Sequence, residues 1–325
     1  MSKSSPADFI ALTPEVVLDA VETAAGLRLE PMAQPLPSYV NRVYGLRTEG
    51  GEALVAKFYR PGRWTLDALR EEQAFVGELA AAEIPVVPPL ELRDGGLLGL
   101  HAGIAFAVFP RCGGRPFEPV DAASWERVGS LLGRIHEIGA QCDAPHRRDL
   151  HPDASTREDL DFLVAGDFIP PAERGQLEDL GESLIEAAGP LFDEIEPIRL
   201  HGDFQRTNIL DHPVTGLLPI DFDDMVNGAA VQDLWLLLPD SPDRCQQEIE
   251  WLLQGYERFM PFDRGTLDLI EPLRAMRMIH YLAWCARQYH DYNFAETHAG
   301  WGTADFWRGE LADIGEQLSR LPPAT

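Results

Sequence analysis

Residues 200–210 read Leu-His-Gly-Asp-Phe-Gln-Arg-Thr-Asn-Ile-Leu (LHGDFQRTNIL), a polar stretch between apolar flanks with Asp203 and Asn208 inside it. A turn capped by an acid accounts for such a patch, because Asp and Asn side chains hydrogen-bond nearby backbone in turns. The next segment adds weight to a second reading. Leu217-Leu-Pro-Ile220 has the character of an apolar strand and delivers Asp221-Phe-Asp-Asp224 at its end. An acid at that place is a natural ligand for a hard cation such as Mg2+. The strand end puts Asp221 first, with Asp223 and Asp224 as alternatives or as caps of the segment after them.

Toward the N-terminus, Thr13-Pro-Glu predicts an N-capped helix that ends near Gly26. Tyr39 to Arg47 and Ala53 to Tyr59 read as strands around the turn Glu49-Gly-Gly51. Val55, Lys57 and Tyr59 then share one face by the two-residue period of a strand. Of the 27 basic side chains only two are lysines, Lys3 in a tail and Lys57 inside this apolar strand. A chain that otherwise uses arginine and keeps Lys57 there points to a need for a compact ammonium. From about Thr65 to Ala82 the pattern is helical, with Leu69, Glu72, Phe75, Val76 and Leu79 on one stripe. Glu72 therefore points inward and needs a partner.

Strands follow through Asp94-Gly-Gly96 to Gly103-Phe109, and Pro110-Arg-Cys-Gly-Gly-Arg-Pro116 reads as a hinge. Beyond it the chain turns helical, as in Trp125, Val128, Leu132 and Ile135, and again in Leu267, Ile270 and Leu273. The expected architecture is α+β and bilobal. Residues 1–110 form a β-rich N-terminal lobe, 111–118 a hinge, and 119–325 a mostly helical C-terminal lobe carrying the polar loop and the strand-end acids.

Composition excludes several classes. At 325 residues, 45% of them hydrophobic, the chain can bury ample core and is long enough for two lobes. The start Met-Ser-Lys-Ser-Ser-Pro has no apolar core of a signal peptide, and no run is long enough to span a bilayer. Cys112, Cys142, Cys245 and Cys285 are scattered without a C-x-x-C, which fits reduced thiols in the cytoplasm. A net charge of −26 argues against a nucleic-acid partner. That charge serves solubility first, and steering of a cationic substrate second.

The spacing H-x-D-x-x-x-x-N of His201, Asp203 and Asn208 has the interval of a kinase catalytic loop. There the Asp accepts the proton of the attacking hydroxyl and the Asn holds Mg2+. The motif alone is weak, but its order after a strand lysine, an inward helical Glu and a hinge, and before a strand-end Asp, is the order of parts that clamp ATP phosphates. Further strings are Ser38-Tyr-Val-Asn-Arg-Val-Tyr44, Val55-Ala-Lys-Phe-Tyr-Arg-Pro61 with Arg63-Trp-Thr65, and Phe106-Ala-Val-Phe-Pro110 with Gly113-Gly-Arg115. Arg199-Leu-His-Gly-Asp203, Val231-Gln-Asp-Leu-Trp235 and Ile270-Glu-Pro-Leu-Arg-Ala-Met-Arg277 complete them. With these the chain resembles the protein-kinase-like superfamily in its aminoglycoside and choline kinase branch. Within that branch it is similar, over nearly its whole length, to the bacterial stress response kinase A (YihE/RdoA) family.

The resemblance implies an ATP- and Mg2+-dependent Ser/Thr protein kinase, autophosphorylating, cytoplasmic, and tied to envelope or oxidative stress; a monomer is expected. It assigns Asp203 as proton acceptor and catalytic residue, with Asp221 catalytic as well as a metal ligand beside Asn208. It places Ser38 at ATP, Lys57 paired with Glu72 on the α- and β-phosphates, and backbone from Phe109 to Arg111 at adenine. Departures bear on the acceptor: the loop 38–44 lacks G-x-G-x-x-G, no D-F-G or A-P-E occurs, and Gln205 stands where many relatives have His.

Plainer readings accompany other residues. His201 orients the loop rather than acting as a base, and His136 belongs to a helical apolar pattern as a core histidine. Asp233 either supports the loop backbone or caps a helix. The Trp and Tyr residues between 281 and 292 pack a core, with a substrate cleft as the second reading, and Arg274 and Arg277 pair with surplus acids. The functional alternatives are a small-molecule hydroxyl kinase, whose cationic substrate the acidity would suit, and a nucleotide-binding pseudokinase. The presence of Lys57, Asp203, Asn208 and Asp221 speaks against the latter.

Overall fold

The structure, a computed structural model, describes residue 9, residues 12–291 and residues 294–322. Lys3 and Tyr292 lie outside the described residues. In chain order the elements are α1 (Pro14–Ala25), β1 (Gln34–Leu36), β2 (Arg42–Arg47), β3 (Ala53–Phe58), α2 (Leu66–Ala81), β4 (Gly99–His101), β5 (Ile104–Pro110), β6 (Arg115–Pro116) and α3 (Ala122–Gly139). They continue with α4 (Arg157–Ala165), α5 (Pro171–Phe192), β7 (Ile198–Leu200), β8 (Ile209–His212), β9 (Gly216–Pro219), β10 (Val226–Gly228) and α6 (Val231–Trp235). After these come α7 (Gln246–Tyr256), α8 (Ile270–Arg287), α9 (Phe294–Thr297) and α10 (Ala304–Leu318).

Packing divides the described residues into two compact units that are not contiguous in sequence. The first gathers those up to Ser124 with Ala144–Arg147 and Asp203–Met225; the second gathers Trp125–Asp143, Arg148–Gly202 and those from Val226 on. Arg115 and Pro116 pair with Asp211 and Leu210 as part of the sheet β6-β8-β9, so that segment and the loop after Gly202 are one piece of the first unit.

The first unit is built on an antiparallel sheet of order β1-β2-β3-β5-β4. Alternation along β3 sends Leu54, Ala56 and Phe58 into a core with Val17, Ala20 and Val21 of α1. The Phe58 ring stacks on Phe106 of β5 at 4.9 Å between centroids. Lys57 takes the other face, opposite Ala107 in register, where Ala105 and Ala107 pack with Tyr59 and Leu69 of α2. The start of α2 is capped as its sequence predicts, the Thr65 hydroxyl accepting the Ala68 N–H at 3.1 Å. Its buried stripe includes Leu69, Glu72, Phe75, Val76 and Leu79. The helix therefore carries one carboxylate into the core.

The second unit is mostly helical, with β7 and β10 as one antiparallel pair. Trp125, Val128, Leu132 and Ile135 are buried along α3, as their spacing predicts. Helices α3 and α7 meet backbone to backbone. A Cβ on Gly129 would stand 1.9 Å from the Leu252 carbonyl oxygen, and one on Gly255 would stand 2.0 Å from that of Glu126. Only glycine permits that approach. The fold is α+β, a sheet region followed by a helical half. Among the described residues all four cysteines are free, and no helix is long and apolar enough to cross a membrane.

Candidate active site

The polar loop begins where β7 ends. Gly202, at φ 82°, turns the chain out of the buried strand in a conformation that other residues adopt only with strain. Asp203 follows, half-buried, and the chain closes on itself within five residues. The Gln205 N–H donates to the Asp203 carbonyl at 2.8 Å and the Asn208 N–H to the Gln205 carbonyl at 2.9 Å. Side chains tighten the same loop. Asn208 Nδ2 donates to the Asp203 carbonyl at 2.9 Å and to its Oδ2 at 3.0 Å, while Gln205 Nε2 donates to Oδ2 at 2.9 Å. With its NH2 spent on Asp203, Asn208 has its amide oxygen left as the atom to meet a cation.

The strand-end acid is joined to this loop by the backbone. The Ile220 N–H donates to the Asn208 carbonyl at 2.9 Å, extending the β8-β9 pairing up to Asp221. Asp221 itself sits at φ 65°, ψ 66°, a left-handed conformation that Asp and Asn tolerate better than other non-glycine residues. The turn leaves Asp221 exposed and swings Asp223, two residues on, into the interior. Asp221→Ala is expected to be less stable than Asp221→Asn by about 1 kcal/mol, because alanine bears the full left-handed cost. Chemical denaturation of the two variants checks this, and equal midpoints would show the turn to be unstrained.

Lys57 reaches both acids. Its Nζ lies 2.6 Å from Asp221 Oδ1 and forms an ion pair with Asp223. Burial draws the ammonium pKa down, but Asp221, Asp223 and Glu72 outweigh it and hold the value above the ordinary lysine range. The expected direct pair of Lys57 with Glu72 is not formed. The Glu72 carboxylate is taken instead by Arg147 Nη2 at 2.8 Å and by the Tyr59 hydroxyl at 3.2 Å. Buried Arg147 brings a fork of donors to Glu72, and Asp223 forms the ion pair with Lys57. Burial and the Asp223 carboxylate push Glu72 up to about 7, against the pull of Lys57 and Arg147.

Ser38, Phe109 and Arg111 lie on the same unit but are not drawn into this cluster. Ser38 is exposed between β1 and β2, and Phe109 of β5 is half-buried opposite Val55. The Arg111 N–H donates to the Ala53 carbonyl at 2.9 Å. Among the described residues no hydrogen bond or ion pair joins the Ser38 or Arg111 side chains to Lys57, Asp203, Asn208 or Asp221.

Several cluster members carry no sequence signal of their role. Asn41 Nδ2 donates to Asp223 Oδ2, and Asn41 Oδ1 accepts the Arg60 N–H at 3.0 Å. Arg63 lies 2.5 Å from Asp224 and 3.4 Å from Asp223. Asn41 and Arg63 fall in strings that carry the resemblance, but nothing in their spacing says which acid they meet. Arg147 sits in a stretch with no periodicity at all.

In the second unit Asp233 supports the backbone that leads into the loop. Fully buried, it accepts the N–H groups of His201 at 2.8 Å and Gly202 at 2.9 Å. His136 Nε2 lies 3.2 Å from its Oδ2, and His136 Nδ1 lies 2.9 Å from the Tyr256 hydroxyl. The imidazole thus bridges the Asp233 carboxylate and the Tyr256 hydroxyl. Of the two readings of Asp233, the brace describes its contacts, since no side-chain cap is made at the start of α6.

The donor set suits Mg2+. Among the described residues no group of three or more His, Cys, Asp or Glu side chains could hold a metal alone. Mg2+ does not ask for one, since it is bound through one or two carboxylates together with substrate phosphates. Asn208 and Asp221 supply hard oxygen donors of that kind.

Residues 33–270 match the model of the phosphotransferase enzyme family. The chain is 36% identical over 318 residues to Stress response kinase A of Escherichia coli (strain K12), covering 97% of this chain and 96% of that protein. The same identity and coverage relate it to Serine/threonine protein kinase RdoA of Salmonella typhimurium. Among solved structures, amicoumacin kinase hAmiN in complex with AMP-PNP, Ca2+ and Ami aligns with a TM-score of 0.73 at 19% identity, over 95% of this chain and 94% of that one. Such a likeness speaks for the kinase-like fold. The identity to the first two, with coverage of almost every residue, speaks for descent, and the chain belongs to the stress response kinase A family of phosphotransferase enzymes.

Proposed function

We propose that the protein is an ATP- and Mg2+-dependent kinase that transfers phosphate to Ser or Thr hydroxyls of proteins, itself included, as part of a stress response in the cytoplasm. One observation carries the catalytic reading: two side-chain amides hold Asp203 Oδ2, and the same Asn208 is linked by its carbonyl to the strand that presents Asp221. Asp203 accepts the proton of the attacking hydroxyl. Asn208 and Asp221 hold Mg2+, which when bound neutralises charge on the phosphates. Lys57 places its ammonium on the α- and β-phosphates, Ser38 contacts ATP, and backbone from Phe109 to Arg111 meets adenine. In this reading residues 1–110 bind nucleotide, 111–118 act as the hinge, and 119–325 bring the catalytic loop and the acceptor. The protein acts as a monomer.

The Ser/Thr preference rests on the relatives' names, which include a serine/threonine protein kinase. A small-molecule hydroxyl kinase is the second reading. It is favoured by the net charge of −26, which would concentrate a cationic acceptor. Radiolabelled ATP transfer, run side by side with protein acceptors and small amino alcohols, separates the two. Label is expected on Ser or Thr of protein, including the enzyme's own chain. Label on the alcohols alone would overturn the protein-kinase reading, and ATP binding with no transfer to any acceptor would overturn both.

A further inference from the structure

We propose that Asp223 is the positioning residue for both Lys57 and the loop 38–41, and that Glu72 serves Arg147 instead. This rests on the kinase reading of the site. Asp223 is 4% exposed, and three elements converge on its carboxylate. Lys57 comes from β3, Asn41 from the loop between β1 and β2, and Arg63 from the turn after β3. Its carbonyl accepts a fourth group, Arg147 Nη1, at 2.7 Å.

Arg147 meanwhile closes the other half of the arrangement. Its Nε donates to the Ala68 carbonyl at 2.9 Å, its Nη2 to Glu72 at 2.8 Å, and its guanidinium lies 4.4 Å from the centre of the Trp64 ring. Helix α2 is thereby held by an arginine that also touches the Asp223 backbone. The job that a single lysine–glutamate pair would do is split in two: Asp223 fixes the ammonium, and Arg147 fixes the helix.

The split has a chemical reason. Asp221 is exposed and is the acid available to a cation, so a lysine that depended on it alone would lose its counter-ion whenever that carboxylate turned to metal. Asp223 is enclosed and stays with the lysine. Because Asn41 shares the same carboxylate, the ammonium and the loop expected to cover the phosphates are placed by one group. Disturbing it is therefore predicted to act on nucleotide binding more than on the chemical step.

The two-lysine composition allows a direct test. Side-chain labelled lysine gives NMR signals from Lys57 and Lys3, and Lys3→Arg assigns them. In nucleotide-free protein the Lys57 signal is expected to move strongly in Asp223→Asn and little in Glu72→Gln. The kinetic counterpart is a KM for ATP raised at least tenfold in Asp223→Asn, with kcat changed less than threefold, and a KM within threefold of wild type in Glu72→Gln. Should Asp223→Asn not fold, Asn41→Ala breaks the loop contact alone, and a KM for ATP raised severalfold at constant kcat is expected. A Lys57 signal that follows Glu72→Gln instead, or an Asn41→Ala enzyme with unchanged KM, would overturn the proposal. The NMR result stands whether or not the protein transfers phosphate, so it fails separately from the kinase reading.

Discussion

Replacing Asp203 by asparagine is expected to lower phosphoryl transfer by about 10²- to 10⁴-fold, the range spanned by a lost general base, while ATP binding persists. The two residues are nearly isosteric, so the loop has no reason to unfold. Their hydrogen-bonding capacities differ, however. Oδ2 of Asp203 now accepts from Gln205 Nε2 at 2.9 Å and Asn208 Nδ2 at 3.0 Å. An introduced amide must turn its oxygen toward those two donors, which leaves its NH2 in the place of the other carboxylate oxygen. An NH2 cannot take a proton. Single-turnover transfer compared with nucleotide affinity by thermal shift checks both halves. Near-normal turnover would remove Asp203 from the reaction, and lost ATP binding would show that its charge shapes the nucleotide site.

The second large effect is expected at Asp233, on stability rather than on chemistry. Asp233→Ala removes the acceptor of two buried N–H groups, those of His201 and Gly202, and the partner of buried His136. Leaving buried donors such as these unpaired costs about 1–3 kcal/mol each. Asp233→Asn keeps one acceptor oxygen and should lie between alanine and wild type. Urea denaturation of the three proteins tests the order. Because Asp203 is the residue after Gly202, the alanine protein should also lose turnover when it is still folded. A midpoint unchanged in Asp233→Ala would mean that water replaces the carboxylate at no cost.

How much of the site is legible in the sequence depends on the distance over which each interaction acts. The helix α2 was legible because its signals are local: Thr65 at the cap, apolar residues at helical spacing, and Glu72 on the same stripe. That Glu72 needs a partner was legible too, since a buried carboxylate does. Which partner was not. Arg147 is 75 positions away in a stretch without periodicity, and the Lys57 side chain meets an acid 164 positions on. The loop pair Asp203 and Asn208 was legible for the opposite reason, since five residues of backbone bring Asn208 back to the Asp203 carbonyl. Gln205, conspicuous only as a departure from a resemblance, turns out to donate to the same carboxylate oxygen.

The α+β character, the strand that carries Lys57 inside it, the inward face of α2 and the order of the chemical groups all follow from local sequence signals. All of these are written in periods of two or 3.6 residues, in caps, and in short spacings that the backbone reproduces wherever it folds. How the charges share partners is set by long-range packing. Asp223 rather than Glu72 meets Lys57, Arg147 takes Glu72, and Asp233 braces the approach to Asp203. Buried charges must be matched by groups that arrive from distant parts of the chain, and a choice among several nearby acids is settled by which carboxylate the packing brings within hydrogen-bonding reach.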